Sequence, residues 1–496
     1  MSVTTADAAS PAAGPDPADG STALDRFFEI TRRGSTVKRE IVAGVTTFAT
    51  MAYIVVLNPL IIGTAPDQGG KILGIAPVAG VTALVAAVMT ILMGVVGRVP
   101  FAVATGLGLN AFVAYSVASR MTWAQAMGLV VIEGVIIAIL VITGFRQAVF
   151  RAIPGELKAA IAAGIGLFIA IIGLVDGGLV RRVPDAAGTT VPVQLGADGT
   201  LRGWTTIVFI IGLLLTAVLV ARRVRGGILL GILATTVVAV IVDRVVKPGP
   251  AFVDGKPNPT GWQLNVPTLP DPLFKAPDLH LLGNVSFGAF ANVGVMTALL
   301  LIFTLVLADF FDVMGTTVGL SRQAGLVTPE GDIPRLGQVL FVDGVAAAAG
   351  GAASASSATT YVESSSGIAE GGRTGLTSVV TGVLFLAALL LTPLVSLVPS
   401  EAAAPALVIV GALMIRQVRD IDFTDVGVAV PAFLTMVLMP FTYSITNGIG
   451  AGFLSWVLIR LVQGRAREVH PLMWAVSAAF LLYFGINAIK ALTGVS

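Results

Sequence analysis

Five carboxylates sit inside stretches that are otherwise apolar: Glu133 in VIEGVII, Asp309 and Asp312 in LADFFDVMGTT, Asp343 in FVDGVAA, and Glu363 in TTYVESSSG. Lys and Arg lie at or near the ends of those stretches, so the acids have no basic partner at the same depth. A lone carboxyl in a low-dielectric interior must be protonated, bonded to donors, reached by water or matched by a ligand. Acids without bases therefore suit carriage of a proton, or recognition of a solute rich in N–H donors. They do not suit covalent catalysis. Ser364, Ser365 and Ser366 have no histidine nearby, and His280 and His470 both fall near polar loops. With no cysteine in the chain, thiolate chemistry, disulfides and Cys-ligated metals are excluded, and a histidine metal site is not expected.

The acids are not equivalent. Asp309 and Asp312 are one helical turn apart, on roughly one face, and are followed by Gly315, Thr316 and Thr317, which can open the helix. Glu363 sits in a Ser/Gly-rich break, where a purely structural acid is hard to justify. Asn110, in GLGLNAF, suits either a ligand contact or helix–helix adhesion. Glu133 and Asp343 read best as acceptors for the backbone of a broken helix. Most Trp and Tyr residues lie near span ends, as an interfacial belt requires. Tyr361 and Phe112 depart from that pattern and are candidate walls for a flat ligand, and Thr360 beside Tyr361 joins the candidate binding set.

The elements that must position these groups follow from composition. The 496 residues are 55% hydrophobic and 12% charged, and apolar runs long enough to cross a bilayer recur from Glu40 almost to the C-terminus. We read an all-α polytopic membrane protein with about fourteen spans. Residues 1–37, rich in Ala, Pro, Asp and Thr, read as a disordered cytoplasmic tail rather than a signal peptide. Lys and Arg cluster on alternate loops, which places the N-terminus in the cytoplasm and the Pro-rich segment 247–285 outside. The balanced charge and the lack of a basic, aromatic-interleaved patch give no sign of a nucleic-acid partner.

An internal repeat organises the spans. IPGELKAAIAAGIGLFIA (Ile153 to Ala170) resembles VPSEAAAPALVIVGALMI (Val398 to Ile415), matching Pro154 with Pro399, Glu156 with Glu401 and Gly166 with Gly411 at a constant spacing. The Gly-broken segment holding GLGLNAF falls opposite the Ser/Thr-broken segment holding TTYVESS. An odd number of spans per half inverts the second copy, which is a plan of secondary transporters. The first repeat is read as 38–246, the second as 286–467, and 468–496 as a C-terminal hydrophobic segment. That segment follows a span count already filled, so it either adds a span or lies along the interface. Broken spans at matching places point to a binding site, because unwound backbone within a membrane is tolerated only where it lines a cavity.

The motifs REIVAGVTTFATMAYIVVLNP, TGLGLNAFVAYSV, ADFFDVMGTTVG, TTYVESSSGIAEGGRTGLTSVV and PAFLTMVLMPFTYSITNGIGAGF occur in that order. On these residues the chain resembles the AzgA-like purine permeases, a branch of the nucleobase/cation symporters related to the uracil and xanthine permeases. The resemblance implies two inverted seven-helix repeats split into core and gate domains, with a short strand and a half-helix in the third and tenth segments. It further implies proton symport of adenine, guanine or hypoxanthine by alternating access in a bacterial cytoplasmic membrane. Carried over by motif, Asp309 and Glu363 would bind the purine and Asp312 would support them or carry the proton, the split between the aspartates being left open. No cofactor is implied beyond the coupling ion, with sodium as the alternative to the proton, and a homodimer is one of the assemblies allowed. The stretch GGAASAS before the tenth segment departs from the usual pattern and leaves the preferred purine undecided. A uracil/xanthine-type or anion carrier of the same plan is the nearest rival, and a channel or membrane enzyme the remote one.

Overall fold

The computed structural model describes residues 22–143, 153–183, 193–196, 199–253, 256–270, 276–328, 333 and 335–493. Among these, nine helices are long and apolar enough to cross a membrane, and shorter apolar helices include Val295–Phe310, Leu336–Ala352 and Val426–Phe441. With two broken segments they make about fourteen crossing segments before the C-terminal helix.

The chain begins with a correction to the expected tail. Residues 1–21 lie outside the described set, but α1 (Ala23–Phe28) is a helix capped by the Thr22 side chain. Phe28 and Ile30 pack on Leu376, and the Arg33 guanidinium donates to the Arg98 carbonyl at 2.6 Å, so apolar burial and a main-chain bond order the segment ahead of residue 37.

The first span is α2 (Val37–Met51) and α3 (Ile54–Ile62), interrupted at Ala52 and Tyr53. It is followed by α4 (Ile75–Leu92), the strand β1 (Val103–Thr105) and the half-helix α5 (Leu107–Phe112). Next come α6 (Trp123–Ile142), α7 (Gly155–Asp176), α8 (Trp204–Ala221) and α9 (Gly227–Val246). The second half repeats this order with α10 (Val295–Gln323), α11 (Leu336–Ala352), the strand β2 (Ala358–Thr360), the half-helix α12 (Ser364–Ala369) and α13 (Gly375–Ala388). It closes with α14 (Ser400–Met414), α15 (Val426–Phe441) and α16 (Ile445–Val462), after which α17 (Pro471–Thr493) follows.

Packing sorts these helices into two bodies. In the core, α6 lies against α11, and α13 against both α2 and α4. In the gate, α7 packs on α14 and α15, α15 on α16, and α8 on α9. The broken segments meet at the centre of the core, where β1 and β2 pair antiparallel in the register Val103↔Thr360, Ala104↔Thr359, Thr105↔Ala358.

A two-stranded sheet inside a membrane must satisfy its outer edges, because an unpaired buried backbone group costs about 1–3 kcal/mol. On the β1 side, the Thr90 hydroxyl donates to the Val103 carbonyl and accepts from the Val103 N–H, both at 2.9 Å. On the β2 side, Asp343 Oδ1 accepts from the Thr360 N–H and hydroxyl, both at 2.9 Å. The Ser357 hydroxyl, just before β2, donates to Glu133 at 3.1 Å. Of the two acids expected to serve the broken backbone, Asp343 does so directly, whereas Glu133 reaches the segment through the Ser357 side chain.

The helix α17 settles where the C-terminal segment runs. It starts from the end of the molecule where α16 finishes, and its Tyr483 hydroxyl accepts a 2.7 Å hydrogen bond from Arg120, at the far end of the third segment. In between, Phe480 is buried against Phe453 of α16 and Phe303 of α10. The helix runs along α16 and α10 from one end of the molecule toward the other, the course an additional crossing helix would take.

Candidate functional site

Between core and gate, at the depth of the β1–β2 pair, lies a cavity of about 140 Å³. Its core side is built by Gly106–Leu109 at the start of α5, by Thr359–Glu363 running from β2 into α12, by Tyr53, and by Ala308, Asp312 and Thr316 of α10. Its gate side is apolar: Ile161, Ile165 and Ile169 of α7, with Val410 and Met414 of α14. The volume is below the roughly 300–1,000 Å³ of drug-sized pockets, so the space suits a small solute.

Local sequence explains the shape. Ala308, Asp312 and Thr316 follow each other at helical spacing along one stripe of α10, and that stripe faces the cavity. Asp309, one position off it, is fully buried in the core. Glu363 is the N-cap residue of α12. The break in the first span at Ala52 and Tyr53 brings the Tyr53 ring under it, and the Tyr53 hydroxyl donates to Glu363 Oε1 at 2.5 Å. The Thr50 hydroxyl donates to the Glu363 carbonyl at 3.4 Å. Tyr361 is held by its N–H to the Ala102 carbonyl at 2.9 Å and by its hydroxyl to the Thr105 carbonyl at 2.6 Å. The walls of the cavity are therefore fixed by main-chain bonds between the two repeats.

Of the residues singled out from sequence, Glu363, Asp312, Thr360 and Tyr361 line this cavity together. Asp309, Asn110 and Phe112 do not line it; all three are fully buried. Asn110 ties half-helix to strand, donating to the Thr105 hydroxyl at 3.3 Å. Tyr53 is the residue sequence reasoning missed. The signal was present, a lone tyrosine deep in an apolar span, but belt tyrosines share that composition.

The cavity continues into a vestibule of about 880 Å³ through Asp312, Thr316, Val362, Glu363, Val410 and Met414. Arg223, Arg225, Arg416, Gln323 and Gln417 line its mouth, at the end of the molecule that also carries α1. Arg225 forms an ion pair with Glu370, from the α8–α9 turn of the gate to the end of α12 in the core. At the opposite end the bodies touch. The Tyr443 ring lies 5.3 Å from both Tyr115, which follows α5 in the core, and Phe168 of α7, and its carbonyl accepts from the Ser116 hydroxyl at 3.3 Å. The site is open toward the arginine-bearing end and closed toward the other.

Comparison with known proteins bears on this arrangement. The bicarbonate transporter BicA of a cyanobacterium superposes with a TM-score of 0.56 at 14% identity, covering 84% of this chain and 97% of its transmembrane domain. The murine anion transporter Slc26a9 in its inward-facing state gives 0.56 at 12% identity, covering 86% of this chain and 68% of its own. These likenesses establish the inverted-repeat transporter fold. In sequence, the guanine/hypoxanthine permease PbuG of Bacillus subtilis is 39% identical over 473 residues, 93% of this chain and 99% of that protein. The adenine permease AdeP of Escherichia coli is 35% identical over 465 residues, 93% and 96% of the two chains. The Permease family model for xanthine and uracil permeases matches residues 38–451. The chain is thus a multi-pass membrane transporter rather than an enzyme, and it belongs to the xanthine/uracil permease family.

Proposed function

We propose that the protein imports purine nucleobases of the adenine, guanine and hypoxanthine group by proton symport with alternating access. The observation that carries this reading is the cavity, where two carboxyls, Glu363 and Asp312, face apolar walls at the join of two half-helices. A flat heterocycle with several N–H donors is complementary to such a site, its faces against Ile161, Ile165 and Leu109 and its edges toward the acids. The relatives named as guanine/hypoxanthine and adenine permeases support the same solute class. An anion is the poorer match, since among the described residues no Lys or Arg lines the small cavity.

In this mechanism the base and a proton bind from outside, and the core moves as a body against the gate. Opening toward the vestibule then releases both into the cytoplasm. Glu363 accepts N–H hydrogen bonds from the base, and Asp312, on the same cavity, is assigned the coupled proton. The arginine-bearing end and the N-terminus are cytoplasmic, as the excess of positive charge on that side favours. Each carried charge also couples transport to the membrane potential, at about 2.3 kcal/mol per 100 mV.

The test is uptake of radiolabelled adenine, guanine, hypoxanthine and uracil by purine-transport-deficient cells producing the protein, with and without a protonophore. Saturable purine uptake that collapses with the protonophore supports the reading. Uptake that persists with the protonophore and follows a sodium gradient replaces the proton by sodium. No purine uptake, with the protein confirmed in the membrane, overturns the assignment.

A further inference from the structure

Resting on the purine reading, the geometry points to Tyr53 as a specificity-determining residue, which engages one oxygen of Glu363, leaves the base less of the carboxylate to pair with, and so blunts discrimination between purines that differ in a second edge donor. Tyr53 is fully buried, stands at the break in the first span, and lines the same cavity as Glu363. Its hydroxyl bond to Oε1, at 2.5 Å, ties the first span to the tenth segment. Tyr53 is the only other residue among those described that hydrogen-bonds the Glu363 carboxyl, and the Glu363 backbone carbonyl is steadied separately by Thr50.

A carboxylate with both oxygens free reads two parallel N–H groups as a bidentate pair, which adds strength and geometric selectivity. Guanine presents such a pair on one edge, N1–H beside the 2-amino group. Hypoxanthine carries N1–H on that edge without the amino group. With Tyr53 already donating to Oε1, that oxygen keeps one acceptor site whose direction the tyrosine sets, so the second donor of guanine gains less from Glu363 than a free bidentate carboxylate would give and the two bases are taken on similar terms. Removing the hydroxyl reverses this. Guanine then satisfies both oxygens, while hypoxanthine leaves one buried acceptor without a donor, which is the more damaging condition.

The experiment measures uptake of guanine and hypoxanthine, each with its own KM and maximal rate, in wild type, Tyr53→Phe and Tyr361→Phe. In wild type the two bases are expected to compete within a few-fold of each other. In Tyr53→Phe the ratio of kcat/KM for guanine over hypoxanthine is expected to rise about tenfold, mainly through KM, as one hydrogen bond to a charged group implies. Tyr361→Phe removes a cavity hydroxyl bonded to the Thr105 carbonyl, and is expected to leave the ratio near wild type whatever happens to absolute rates. A purely structural Tyr53 would lower both bases together. An unchanged ratio in an active Tyr53→Phe overturns the inference and leaves the purine reading standing. If Tyr53→Phe does not reach the membrane, wild type still decides, because a preference for guanine of a hundredfold or more would show both oxygens already engaged. Failure of wild type to take up either base overturns the purine reading instead.

Discussion

Gly166 and Gly411, matched by the internal repeat, pack against each other at the centre of the gate. A methyl group on Gly411 would lie 2.4 Å from the Gly166 carbonyl oxygen, and one on Gly166 would lie 2.9 Å from the Gly411 carbonyl oxygen. The repeat-related helices α7 and α14 therefore touch backbone to backbone, the close approach that small residues permit between membrane helices. Gly411→Val is expected to destabilise the protein by about 1–3 kcal/mol, as overpacking does. The measurement is thermal unfolding in detergent, and a variant as stable as wild type would show that α7 and α14 can separate without loss.

The two cavity acids are expected to behave differently. Glu363→Gln should weaken base uptake at least about tenfold through KM, since an amide replaces one acceptor with a donor. Asp312→Asn should retain base binding in purified protein while losing accumulation driven by a pH gradient. Equal loss of binding in both variants would remove the division of labour between them.

Asp343 is placed to hold β2 rather than to touch substrate, because its Oδ1 takes both the N–H and the hydroxyl of Thr360. Asp343→Ala strands a buried N–H and should cost about 1–3 kcal/mol of stability together with uptake. Asp343→Asn keeps an acceptor and should recover most of the stability. If Asp343→Ala unfolds like wild type yet transports nothing, the aspartate has a direct part in transport.

Closure at one end depends on Tyr443 against Tyr115 and Phe168. The chain contains no cysteine, so Val410→Cys gives a single reporter on the cavity wall. A membrane-impermeant thiol reagent is expected to label it from the arginine-bearing side only. Adding Tyr443→Ala should permit labelling from the opposite side as well. Labelling from both sides before that change would mean that the aromatic contact does not seal the path.

The course of α17 makes a topological prediction. The Arg120–Tyr483 bond places its far end opposite the end that carries α1. A reporter fused after α17 should be accessible from the side opposite one fused ahead of α1. Accessibility of both from one side would mean that α17 does not cross.

Much of this architecture was legible before any coordinates. Composition and span length dictate a polytopic membrane protein, since apolar runs of that length have no other stable solvent. The repeat was readable because inverted copies keep their Pro, Glu and Gly landmarks, and the broken segments because Gly and Ser/Thr clusters interrupt otherwise uniform helices. Glu363 and Asp312 stood out as polar groups where polarity is expensive, and Tyr361, with Thr360 beside it, as an aromatic residue away from the interfacial belt.

Tertiary structure decided what spacing alone left open. Asp309 and Asp312 share roughly one face by sequence, yet the orientation of α10 turns Asp312 to the cavity and Asp309 into the core. Tyr53 gained its place only when the first span was laid against the tenth segment, across most of the chain. Phe112 and Asn110 sit in the right segment but on its buried side. Local pattern fixes which residues a membrane must hide or accommodate; which of them meet depends on the rotation and register of packed helices, and neither is encoded within a single span.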